Sequence, residues 1–154
     1  MWQKKQMFKS QSGDIYLIRN IPELNATKMS YWQHAAIAHN GYIIEGQAEP
    51  GQVIMVAEES FRNRNPEHIV LRPMDSAIGK AAGLAAMNYL GTKYNAKTFN
   101  CVTLVRKAYA DAGKGFLWLM PDGIAKCPFF TIVEKYSDYQ NWKQPQDWYE
   151  GRII

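Results

Sequence analysis

Nucleophilic acyl transfer by a thiol needs three side chains: the thiol, a base within hydrogen-bond reach, and a group that orients the base. Cys101, His34 and Glu45 are the residues of this chain with the types and settings to supply them. Cys101 opens the stretch CVTLVRKAYADAG, in which apolar residues recur at positions 101, 104, 105, 108, 109 and 112. That spacing predicts a helix with one buried face. Asn100 is a good N-cap, and Gly113 stands where a left-handed C-cap would fall. Cys101 then lies in the first turn, where unpaired N–H groups and the helix dipole favour an anion, so its thiol ionises more readily. A small hydrophobe on a core-facing stripe is the plainer reading of the same residue. The helix taken alone leaves both open.

Strand register sorts the histidines. HAAIAHNGYIIEG, residues 34–46, is two apolar runs around Asn40-Gly41, a pair that favours a type I′ hairpin turn. With that turn, His39 faces Tyr42, Ala36 faces Glu45 and His34 faces Gln47. Alternation puts His34, Ala36, Ala38, Ile43, Glu45 and Gln47 on one side of the hairpin. His34 and Glu45 are diagonal neighbours with backbones about 7–8 Å apart, within reach of long side chains. His39 points to the other side, and His68 starts a later strand with no partner the sequence identifies. A carboxylate beside an imidazole fixes its tautomer and raises its basicity. The alternative is a cross-strand ion pair worth under about 1 kcal/mol. Gln47 could orient His34 by its amide, supply the oxyanion hole or touch substrate. The Cys101 N–H is one expected oxyanion donor, with a second from the approach running from Tyr94 to Asn100.

The elements that must position these groups fall in two kinds. DIYLIR (14–19), the hairpin, QVIMVAE (52–58) and HIVLRP (68–73) read as strands, with the polar ESFRNRNPE between the last two. DSAIGKAAGLAAMNYLG (75–91) reads as a helix capped by Asp75 and stopped by Gly91, with Ile78, Ala82, Ala85 and Tyr89 as its apolar face. The cysteine helix follows, and then an irregular, aromatic C-terminal third. Strands followed by helices predict an α+β fold with the helices packed on one face of an antiparallel sheet.

Composition sets the bounds. A chain of 154 residues, 47% hydrophobic and 21% charged, fits one soluble domain over 1–154, with a polar leader at 1–12 and an aromatic tail at 135–154. The net charge of +4 is spread without a dense basic block, so nucleic acid is not indicated, while an anionic wall or lipid surface would be attracted. Cys101 and Cys127 form no CxxC pair, and a zinc site from His34, His39, Cys101 and Cys127 has irregular spacing. No metal or cofactor is expected. MWQKKQMFKSQSGD has no apolar run for a signal peptide, and no segment could span a membrane. The expected location is cytoplasmic as encoded, with no stable membrane anchor; the oligomeric state stays open.

The order of these motifs resembles the circularly permuted papain-like hydrolases of the NlpC-type amidase superfamily, in the YiiX-like branch. The resemblance rests on the GDI at Gly13, HAAI from His34, IIE ending at Glu45, CVTLVRKAYADAG from Cys101, and PDGIAKCPFF from Pro121. It covers residues 13 to about 134, and the cysteine helix is its most specific part. Many relatives carry Ser after the cysteine, where this chain has Val102. The resemblance implies a permuted papain-like fold, an antiparallel sheet or barrel with helices on one side. It also implies Cys101 as nucleophile, His34 as base, Glu45 as orienter, and amide bonds of peptidoglycan peptides as substrate. A phage or secretion system would then deliver the enzyme to the wall. An ester or thioester hydrolase or acyltransferase on the same site, and a non-catalytic binding module, are the competing expectations.

Overall fold

The computed structural model describes residues 8–19, 31–47, 51–95 and 100–135. Its central hairpin follows from the turn chemistry. Asn40 and Gly41 both take positive φ, 50° and 81°, as a type I′ turn requires. That turn pairs β2 (His34–His39) with β3 (Tyr42–Gln47) in the register Ile37 to Ile44, Ala38 to Ile43 and His39 to Tyr42. Four more strands extend the hairpin: β1 (Ile15–Ile18), β4 (Gln52–Ala57), β5 (His68–Pro73) and β6 (Phe130–Lys135). Among the described residues they form one six-stranded antiparallel sheet in the order β4-β3-β2-β1-β5-β6. The protein is α+β.

Strand alternation divides the core into two layers. Ile15, Leu17, Ala35, Ile37, Ile44, Ile69 and Leu71 face α2 (Ser76–Ala86) and α3 (Cys101–Asp111). Tyr16, Ile18, Ala36, Ala38, Ile43 and Val70 form the other layer, around Phe61. The helix α3 is capped at Asn100 and buries Cys101, Leu104, Val105, Ala108 and Tyr109, the expected face, together with Val102 and Thr103. On α2 the buried stripe is Gly79, Ala82, Gly83 and Ala86, rotated from the expected Ile78, Ala82, Ala85 and Tyr89. The cause is backbone proximity. Gly13 has φ +93°, and a Cβ there would lie 2.2 Å from the Gly79 carbonyl oxygen, so the helix seats its glycines, not its larger residues, on the sheet.

Three expectations are corrected. The helices do not all pack on one face: α1 (Glu58–Arg64) forms in the polar stretch read as a connection, and its Phe61 is wholly buried in the second layer. Arg62 fastens it by a two-pronged bond to Glu134 of β6 and a further bond to the Tyr16 hydroxyl, which itself donates to Glu58. The C-terminal third is not irregular where described, since it contains α4 (Pro121–Ala125) and the edge strand β6. The end of the leader is not merely polar either, because Phe8 packs on the second layer beneath Arg62. Residues 136–154, most of the aromatic tail, lie outside the described residues. Among the described residues no helix is long and apolar enough to cross a membrane.

Candidate active site

Cys101 is placed by its cap. The Asn100 side-chain oxygen accepts from the Val102 and Thr103 N–H groups, each at 3.0 Å, and Thr103 Oγ1 accepts from the Asn100 N–H at 3.3 Å. This reciprocal capping box fixes the first turn and holds the thiol at the helix start. Asn100, a candidate oxyanion residue from sequence, therefore commits its side-chain oxygen to the helix. Cys101 is buried, with 7% of the residue exposed.

The histidine and the carboxylate meet as the hairpin register requires. His34 Nε2–H donates to Glu45 Oε1 at 2.9 Å, with side-chain exposures of 11% and 2%. The Cys101 thiol lies near enough to His34 for each to shift the ionisation of the other. Cys101 packs in the α3 layer, whereas Ala36 and Ala38, on the same strand as His34, belong to the opposite one. His34 is the first residue of β2.

These contacts polarise the pair. Burial pushes the His34 imidazole down, but the bonds to Cys101 and Glu45 and the charges on both outweigh it, raising its pKa from 6.5 to about 9. Burial pushes the Cys101 thiol up. The bond to His34, its positive charge, and the N–H groups of Ala35 and Val102 directed at sulfur outweigh that and hold the pKa below the ordinary thiol value. The two shifts are opposed, the imidazole's upward and the thiol's downward, as a thiolate–imidazolium pair requires.

Glu45 is itself held on its second oxygen. Oε2 accepts from Gln47 Nε2 at 3.1 Å and from Arg64 Nη2 at 2.5 Å. Burial raises the Glu45 pKa, while the bonds and charges of His34 and Arg64 bring it below the usual carboxylate range. Gln47 is thus brought to Glu45, not to the imidazole opposite which it stands. Arg64 escaped the sequence reading, and the only signal for it is a basic residue in the last turn of a short helix. Tyr94 lies across the neighbouring residue: a Cβ on Gly46 would come 2.4 Å from its ring. Burial and the Cys101 charge raise the Tyr94 pKa, so the ring sits within the field of the thiolate. Residues 96–99 of the approach to Cys101 lie outside the described residues.

Two motif residues prove to be anchors. The Asp122 carboxylate accepts from the Tyr31 and Trp32 N–H groups at 2.7 and 2.8 Å, tying down the chain that enters β2 just before His34. Asp14, fully buried, takes a two-pronged bond from Arg72 at 3.1 and 2.7 Å. His39 turns away to the Ser12 hydroxyl, 3.0 Å from Nδ1. His68 is buried between the Asn65 carbonyl and the Glu134 carboxylate. Cys101 and Cys127 are both free thiols. Among the described residues no three His, Cys, Asp or Glu side chains group as a metal site. No protein-family model matches this chain, and no curated protein matches it.

Proposed function

We propose that the protein is a cysteine hydrolase of amide bonds, with Cys101 as nucleophile, His34 as base and Glu45 as the group that orients His34. The observation that carries this reading is a buried thiol at a capped helix N-terminus, coupled in its ionisation to His34, which is itself bonded to Glu45. The Cys101 thiolate attacks the substrate carbonyl carbon. The negative charge passes to the carbonyl oxygen, for which the Cys101 N–H is a donor that the capping box does not use. Tyr94 is the second candidate around that oxygen. His34, protonated, gives its proton to the leaving amine as the tetrahedral intermediate collapses to a thioester. Water then attacks the thioester with His34 as base, releasing the acid and restoring the thiol.

The motif order supports a permuted papain-like fold of the NlpC type, and with it peptidoglycan peptides as the substrate class. Delivery to the wall by a phage or secretion system belongs to the same proposal. Purified peptidoglycan incubated with the protein should release peptide fragments identifiable by mass, and Cys101→Ala should release none. Release of nothing by a protein whose Cys101 is reactive would move the substrate to an ester, a thioester or an intracellular amide.

A further inference from the structure

We infer that Arg64 is a positioning residue of this site, acting on Cys101 through Glu45, so that α1 on one face of the sheet serves a nucleophile on the other. The inference rests on the reading of Cys101, His34 and Glu45 given above. Glu45 is 2% exposed and its two oxygens are divided between partners. Oε1 receives His34 Nε2–H at 2.9 Å, and Oε2 receives Arg64 at 2.5 Å and Gln47 at 3.1 Å. A carboxylate held on one oxygen alone could turn about its last side-chain bond. Held on both, it presents one lone pair to the imidazole.

The charge matters as much as the geometry. A buried carboxylate tends to take up a proton, and a protonated Glu45 would neither stabilise the imidazolium nor hold its tautomer. The charged groups that face Glu45 are His34 from β2 and Arg64 from α1, with the neutral Gln47 beside it on β3 and the apolar Ile54 opposite on β4. Cys101 is faced in turn by His34 and Tyr94. When His34 is neutral, Arg64 is the cation left to keep Glu45 ionised. The Arg64 side chain is 47% exposed, with its guanidinium 5.5 Å over the Phe61 ring, and α1 is held in addition by the burial of Phe61 and the pairing of Arg62. Its bond to Glu45 is the contact that ties it to the site.

The test uses Cys101 alkylation by iodoacetamide as a function of pH, on the full chain, and needs no substrate. In the wild type the rate should hold well below the ordinary thiol midpoint of about 8.5. Arg64→Gln should raise the acid-side midpoint, by less than the roughly 1–3 units a guanidinium moves the carboxylate it touches, because Cys101 feels Arg64 only through Glu45 and His34. Arg64→Lys, which keeps the charge, should restore most of the shift. Glu45→Gln should raise the midpoint at least as far, and adding Arg64→Gln to it should move nothing more. An unmoved midpoint in Arg64→Gln, a Lys variant as impaired as the Gln variant, or an undiminished Arg64→Gln shift in the Glu45→Gln background would each overturn the inference. An ordinary thiol midpoint in the wild type would instead overturn the reading of the site itself.

Discussion

Replacing Glu45 by Gln removes a charge and keeps the shape, and the geometry sets what His34 should do in response. The carboxylate oxygen is 2.9 Å from Nε2 in a pair that is nearly dry. Two unit charges centred about 4 Å apart interact by about 4 kcal/mol at an effective dielectric of about 20. At about 1.4 kcal/mol per unit, that is an upper bound of about 3 pKa units. Arg64 on the opposite oxygen offsets part of it, so a fall of about 1–2 units is expected. The measurement belongs in a Cys101→Ala background, where no thiolate contributes and the imidazole reports on its carboxylate. Titration of the His34 ring signal by NMR gives the value directly. Burial alone pushes His34 below 6.5, so with both partners gone the midpoint should lie under that value. The sign follows: loss of an anion destabilises the imidazolium and lowers the pKa. A midpoint left in place by Glu45→Gln, or one that falls only on Gln47→Ala, would refute the assignment and give the orienting role to Gln47.

Four further outcomes follow. Near neutral pH, iodoacetamide should modify Cys101 well before Cys127, as peptide mapping by mass spectrometry will read, because only Cys101 has a helix N-terminus and an imidazole beside it. Cys101→Ala and His34→Ala should each abolish turnover with an unchanged circular dichroism spectrum, whereas His39→Ala should retain it, since His39 faces Ser12. Asp122→Ala strands two backbone N–H groups and should cost about 2–4 kcal/mol in denaturant unfolding. It should also slow Cys101 alkylation, because the chain before His34 loosens. Gly13→Ala combines a positive φ with a collision against the Gly79 backbone, and should destabilise by about 3 kcal/mol or more in the same assay.

Features decided between neighbours along the chain could be read from residue order alone. Asn40-Gly41 can form the left-handed turn that most residue pairs resist, and a two-residue turn leaves one register for the hairpin. The parity that puts His34 and Glu45 on one side is a consequence of that turn. The cap at Asn100 and the apolar face of α3 are likewise short-range, which is why the setting of Cys101 was legible before any fold. That Cys101 comes beside His34 is a product of packing, since periodicity says which side a residue takes but not which element lies against it. It also decided that α2 packs on its glycines, because a stripe of small residues carries almost no hydrophobic signal. The short helix α1, polar but for Phe61, has no period to read, and its place was set by the burial of one ring and the pairing of Arg62 with Glu134. That docking brings Arg64 to Glu45. Attraction between charges separated along the chain leaves no local pattern, so the bond from Arg64 to Glu45 could be seen only once the sheet was folded.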